Sequence, residues 1–150
     1  MSDLVAIVVG IGLAVLAWYD HHTRTFPLRV LAYGTLGGWV FHGLTAGWIG
    51  LFHTLIAWAL GCGVLWGFAK RGGMGYGDVL LMGALAGVLG SWLSALYLAL
   101  AVSLCGGVIA AGVWIYRRIR GGHRTFPFGW AFLGGWWFFW ILQWGGALHV

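Results

Sequence analysis

Long apolar stretches with almost no charge are the feature that most constrains this chain. Only 7% of its 150 residues are charged, whereas 61% are hydrophobic. A water-soluble domain carries roughly a quarter of its residues as Asp, Glu, Lys or Arg. This chain has too little polar surface to cover a globule in water. We therefore expect it to fold inside a lipid bilayer.

The apolar stretches divide into six predicted spans, so the expected fold is an all-α, six-transmembrane-helix bundle forming one domain over residues 1–150. A helix needs about 20 apolar residues to cross a bilayer. The first stretch lacks the basic start and small-residue exit of a signal peptide, and we interpret it as a span. Spans four and five are separated by Gly90-Ser91 alone. We divide them there because a single helix over residues 78–116 would be longer than the bilayer is thick. The spans cover residues 4–20, 29–45, 48–68, 78–91, 92–116 and 126–148.

Basic residues orient these spans. All eight fall in three alternate loops, and the loops near Ala46-Gly47 and Gly90-Ser91 contain none. Basic loops remain on the cytoplasmic side of a membrane. The sequence thus predicts a multi-pass protein of the cell inner (cytoplasmic) membrane, with both termini on the non-cytoplasmic side. The net charge of +5 comes from these loop residues, whose role is to orient the spans. We therefore expect no nucleic acid partner. The basic residues are Arg24, Arg29, Lys70, Arg71, Arg117, Arg118, Arg120 and Arg124.

The chain contains only three acids, Asp3, Asp20 and Asp78, and no Glu. Asp20 ends span one and Asp78 begins span four, so span parity places both at the cytoplasmic end. A charged group inside a membrane is costly and by default indicates function. Two neighbouring carboxyl groups do not both ionise easily, so one can donate a proton while the other accepts one. Such a pair could activate water against a peptide bond without a metal or another cofactor.

Other interpretations of the acids remain open. Asp20 could be a helix-terminal residue at the interface, and Asp78 could be an N-cap, where Asp is preferred. A small carrier could use both acids for protons or cations, although carriers usually bind their ions near the membrane midplane. His21 and His22 adjoin Asp20 but lack the spacing of metal ligands. We therefore expect no metal site.

Three motifs surround or follow these acids. Tyr19-Asp20 leads after six further residues to Pro27, and Gly75-Tyr76-Gly77-Asp78 forms a GxGD motif. Glycine allows close approach of another backbone, so an extended substrate could lie against Gly75 and Gly77. Phe126-Pro127-Phe128-Gly129 opens the last span. In this order, the three motifs resemble those of the type IV prepilin peptidase family.

The resemblance implies a GxGD-type aspartic endopeptidase with Asp20 and Asp78 as its catalytic pair and with Gly75, Gly77 and Pro27 contacting substrate. Its partners would be the precursors of type IV pilins or pseudopilins, whose basic leader is removed at the cytoplasmic membrane face, and the lipid bilayer itself. The chain departs from the family pattern at Leu28, usually Asn, and at Leu80, usually Lys. These 150 residues contain no N-terminal cytoplasmic segment with a Cys tetrad and a methyltransferase role, so we expect a minimal, peptidase-only form.

Two alternatives accompany this resemblance. An inactive relative could bind pilin-like helices without cleaving them. Presenilin-type proteases also combine Tyr-Asp with GxGD, but they are much longer and use a Pro-Ala-Leu element that this chain lacks.

Overall fold

The computed structural model describes residues 3–71, 75–120 and 128–148, and these ranges contain five α-helices and no strand. The helices are α1 (Asp3–Thr23), α2 (Leu28–Lys70), α3 (Tyr76–Leu89), α4 (Trp92–Arg120) and α5 (Gly129–Trp144).

Helix α2 folds back on itself at Gly47. This residue has φ 62° and ψ −150°, a non-helical conformation with positive φ that glycine adopts without a Cβ clash. The rings of Trp39 and Trp58 lie 5.8 Å apart, although 19 residues of straight helix would separate them by about 28 Å. We call residues 28–46 the first arm of α2 and residues 48–70 the second arm.

The predicted count of six separate helices is therefore wrong. The second and third predicted spans are the two arms of α2, so the structure has five helices in the described ranges. The predicted break between spans four and five is confirmed, because α3 ends at Leu89 and Gly90 takes the left-handed conformation with φ 66°.

Three helical segments are long and apolar enough to cross a membrane: Asp3–Thr23, Leu28–Gly67 and Trp92–Tyr116. Helix α3 has 14 residues and α5 has 16, so each is shorter than a typical span. Their composition is apolar throughout except for Asp78 and Gln143. The expectation of an all-helical membrane protein is thus supported.

The first arm of α2 runs parallel to α3. Gly34 lies near Ala84, and one turn further on Gly38 packs directly against the backbone of Gly87. A Cβ atom at Gly38 would lie 2.9 Å from the carbonyl carbon of Gly87, so only glycine fits at this crossing. The parallel direction means that the start of α2 and the start of α3 are at the same end of the protein.

The second arm of α2 runs antiparallel to α3. Near the start of α3, the Val79 carbonyl accepts a 3.7 Å hydrogen bond from the Cys62 thiol. Near its end, Gly87 lies beside Thr54. Helix α3 is consequently held between the two arms, and its buried residues form a nearly continuous run from Asp78 to Gly87.

Helix α5 packs antiparallel to α1. Gly129, its first residue, lies against Ala17 near the end of α1. At the other end, the Trp136 indole N–H donates a 3.0 Å hydrogen bond to the Ala6 carbonyl. The end of α1 and the start of α5 therefore meet.

Helix α4 packs antiparallel to α5 and completes the core. Gly106 lies against Phe128, and Gly135 lies against Val102. We call the end where α1, the second arm and α4 finish, and where the first arm, α3 and α5 begin, the site end. The largest fully buried side chains between these helices are Trp136, Trp140, Phe132, Phe139 and Met82.

Candidate functional site

Asp20 is buried in the last turns of α1, at the site end. Only 6% of its surface is exposed. Its Oδ2 accepts a 3.1 Å hydrogen bond from the backbone N–H of Gly129. The first amide groups of a helix have no partner within the helix, so a carboxyl group placed there satisfies one of them. The contact joins residues that are 109 positions apart in the chain.

The chain leaves α1 one turn after Asp20. Arg24 has φ 58° and donates its backbone N–H to the Asp20 carbonyl over 2.8 Å, which ends the helix. Pro27 is half-buried and its carbonyl accepts the N–H of Leu31. Because Pro has no N–H to leave unpaired, it is well suited to the start of α2.

Asp78 is buried in the first turn of α3, also at the site end, with 6% of its surface exposed. Its Oδ2 accepts a 3.0 Å hydrogen bond from the N–H of Gly75. Its Oδ1 is buried and has no hydrogen-bond partner within the described ranges. The alternative interpretation of Asp78 as an N-cap was wrong: Gly75 is the N-cap, and Asp78 lies three residues later with its carboxyl group turned back to the cap.

Phe26 connects the two aspartate motifs. Its ring lies against Gly77, so closely that a Cβ atom there would be 3.1 Å from the ring Cδ2. Phe26 adjoins Pro27 in the loop after Asp20, whereas Gly77 adjoins Asp78. The structure thus brings the predicted pair to one end of the bundle, on segments that contact each other through Phe26 and Gly77.

The predicted substrate-binding glycines have different surroundings. Gly75 is exposed beside the Asp78 carboxyl group. Gly77 is half-buried under Phe26, and a Cβ atom there would press against the Phe26 ring. Residues 72–74 of the Gly-rich loop, which were expected to border the site, lie outside the described residues. So do Phe126 and Pro127 of the third motif.

Sequence reasoning missed the roles of Phe26 and Gly129 in this site. Gly129 belonged to a motif that was recognised only through its resemblance to a family, and no spacing rule connected it with Asp20. Phe26 is part of the first motif, in which only Asp20 and Pro27 were predicted to have a role in the site. Both contacts depend on how distant helices pack, which a single sequence does not reveal.

Basic side chains also gather at the site end. Arg29 lies on the first turn of α2, while Lys70 ends its second arm and Arg71 follows it. Lys70 Nζ lies 5.8 Å from the ring centroid of Trp66, and the Arg118 guanidinium lies 5.5 Å from that of Trp114 near the end of α4. Within the described ranges, no three His, Cys, Asp or Glu side chains form a group that could hold a metal ion.

These features define an all-helical membrane protein with two buried aspartates at one end, one of them following a Gly-rich segment of the sequence. The chain belongs to the type IV leader peptidase family, whose model matches residues 7–111, more than half of its length. This match includes Asp20 and Asp78 and ends before α5. No curated protein and no solved structure matches the chain. Family membership supports a leader-peptidase-like function in general terms.

Proposed function

We propose that this protein is an aspartic endopeptidase that cleaves the basic leader from type IV pilin-like or pseudopilin-like precursors, with Asp20 and Asp78 as its catalytic pair. The observation that carries the proposal is that these two aspartates, the only acids after Asp3, are both buried at the site end, where the Phe26 ring of one aspartate motif packs on Gly77 of the other. Burying two carboxyl groups is costly, so a structure keeps them where their chemistry is used.

The arrangement suits the activation of water. When one carboxyl group is ionised and the other protonated, the first removes a proton from water as the water oxygen attacks the peptide carbonyl carbon. The second donates its proton to the carbonyl oxygen. The resulting diol then collapses, and the leaving amine takes a proton as the C–N bond breaks. This chemistry requires only the two side chains and a bound water.

The precursor would approach along the Gly75 side of Asp78. Gly75 is exposed and has no side chain to keep an extended peptide away from the carboxyl group. The Phe26 side of Gly77 is covered, so we assign Gly77 to the wall of the site and Gly75 to its floor. Pro27 lies next to Phe26 on this wall and would contact the substrate from the α2 side.

We further propose that the site end faces the cytoplasm and that each arm of α2 crosses the membrane. Basic side chains gather at the site end, and basic residues favour the cytoplasmic side. With α1, the two arms, α3, α4 and α5 crossing in turn, both termini would face away from the cytoplasm. Helix α3 would be only about 21 Å long, shorter than the roughly 30 Å hydrocarbon core. Asp78 would therefore lie slightly below the membrane surface, within reach of a leader entering from the cytosol.

The test is to co-express a pilin-like precursor with Asp20→Asn, Asp78→Asn or Asp3→Asn and to follow leader removal by gel shift. Asn keeps the shape and an acceptor oxygen but cannot exchange a proton. Asp3 is the matched control, because its Oδ1 accepts a hydrogen bond from the Trp144 indole at the opposite end of the bundle. We expect Asp3→Asn to cleave like the wild type and the other two to accumulate precursor. Full processing by Asp20→Asn or Asp78→Asn would reject the assignment.

A further inference from the structure

The start of α5 is built onto Asp20. The Gly129 N–H donates to Asp20 Oδ2, and a Cβ atom at position 129 would lie 2.9 Å from the Ala17 Cα and 3.2 Å from Asp20 Oδ2. There is consequently no room for a side chain between α5 and the last turns of α1. The family match ends at residue 111 and does not include this contact.

A helix N-terminus favours an ionised carboxyl group. Aligned peptide dipoles give it roughly half a positive charge. A hydrogen bond from an amide to a carboxylate is also stronger than one to a neutral carboxyl group. Helix α5 is 16 residues long and contains no charged side chain that would offset this effect. Its first amide therefore stabilises Asp20 as a carboxylate.

Asp78 also accepts one amide hydrogen bond and lies on the first turn of a helix. The two carboxyl groups therefore differ in the surroundings of their second oxygen atoms. Asp78 Oδ1 is buried and has no partner within the described ranges, whereas neither Asp20 oxygen is in that condition. A buried carboxylate oxygen without a donor is costly, and a proton on the group reduces that cost. When the pair holds a single proton, the surroundings favour placing it on Asp78.

The other titratable and charged side chains described on α1 and at the start of α2 are exposed, so solvent screens their effect on Asp20. On α1, His22 Nδ1 bonds to the Trp18 carbonyl, and the His21 ring contacts Trp130. Both histidines are exposed, as are Arg24 after α1 and Arg29 on α2. On α3, the other buried carboxyl group at the site end is Asp78.

We propose that Gly129 is a positioning residue that holds Asp20 ionised, so that Asp20 is the base and Asp78 the acid of the pair. This inference rests on the proposed peptidase function. In the first step, Asp20 takes a proton from water as the new O–C bond forms, and Asp78 gives its proton to the carbonyl oxygen. In the second step, Asp20 returns its proton to the leaving nitrogen as the C–N bond breaks. Asp78 meanwhile takes a proton from the diol, which restores the starting state.

Infrared spectroscopy tests the assignment without relying on activity. The chain has three acids and no Glu, so in an Asp3→Asn background labelled with ¹³C-aspartate only Asp20 and Asp78 contribute side-chain carboxyl bands. At neutral pH, we expect a protonated-carboxyl band that persists in Asp20→Asn and disappears in Asp78→Asn. The reverse pattern, loss in both variants or persistence in both would overturn the assignment.

A second test perturbs the positioning residue itself. Gly129→Ala should push the start of α5 away from Asp20, whereas Gly134→Ala on the same helix places its Cβ at an ordinary 3.5 Å from Cys105 Sγ. With Gly129→Ala, we expect the acidic limb of the kcat/KM profile against pH to move up by about one pH unit, with KM little changed. Gly134→Ala should keep the wild-type profile. An equal loss of rate at every pH, or an unmoved acidic limb, would contradict a positioning role.

The two proposals can fail separately. If the wild-type protein does not cleave a precursor, the peptidase function is wrong, while the infrared bands still report where the proton lies. If the wild type cleaves but the bands or the profile disagree, only the assignment of base and acid fails. Should Gly129→Ala not fold, the infrared comparison decides alone.

Discussion

Adjacent glycines on the first arm of α2 allow a paired test of the fold that holds Asp78. A Cβ atom at Gly38 would lie 2.9 Å from the carbonyl carbon and oxygen of Gly87 and 3.1 Å from the Val88 nitrogen. At Gly37, a Cβ atom would have nothing within 4 Å. Both positions are helical, so Gly38→Ala and Gly37→Ala share the same gain in backbone propensity, about 0.5–1 kcal/mol.

The two variants should differ by the cost of the clash. Carbon atoms pack best at about 3.5–4.0 Å, so Gly38→Ala must push the first arm away from α3 by roughly 0.6 Å or more at this point. The obstacle is backbone, which cannot move aside as a flexible side chain would. Overpacking of this kind costs about 1–3 kcal/mol. We therefore expect Gly38→Ala to be less stable than Gly37→Ala by about that amount.

Equilibrium unfolding in mixed detergent micelles, followed by circular dichroism, measures this difference. Gly37→Ala should be as stable as the wild type or slightly more stable. Precursor cleavage should also fall in Gly38→Ala, because α3 carries Asp78. If Gly38→Ala proved as stable as Gly37→Ala, the close parallel packing of the first arm on α3 would be refuted.

Two further predictions concern the site wall and the membrane orientation. Phe26→Ala should slow precursor cleavage in a purified assay by removing the ring that joins the Asp20 loop to Gly77. Phe41→Ala, which removes an exposed ring further along α2, should leave the cleavage rate unchanged. Equal cleavage rates for the two variants would contradict a role of Phe26 in the site. A reporter fused after Val150 should behave as periplasmic, because six crossings return the chain to its starting side; a cytoplasmic signal would contradict six crossings.

Two points in the fold could be predicted because each depends on local sequence. Asp20 follows one apolar stretch and Asp78 precedes another, so counting spans was sufficient to place both at the same end. The break at Gly90-Ser91 followed from length alone, since no single helix could include both α3 and α4. Both arguments need only the thickness of a bilayer and the order of residues along the chain.

The remaining features depend on packing between distant segments. The Ala46-Gly47 segment was expected to be a loop between two spans, yet the non-helical conformation of Gly47 alone turns the chain from the first arm of α2 into the second. The N-cap of α3 is Gly75 because the Asp78 carboxyl group bonds back to it, an arrangement that the preference of Asp for N-cap positions did not indicate. The bond from Gly129 to Asp20 spans 109 residues and exists only because α5 packs antiparallel to α1.

The most direct measurement of the central claim is a double-mutant cycle on the cleavage rate of a purified precursor. Two groups that act as one catalytic unit are strongly non-additive: removing either costs about as much as removing both. We expect Asp20→Asn, Asp78→Asn and the double variant to share one low residual rate, with Asp3→Asn at the wild-type rate. Independent, multiplying effects of the two substitutions, or substantial cleavage by either single variant, would contradict a catalytic pair formed by Asp20 and Asp78.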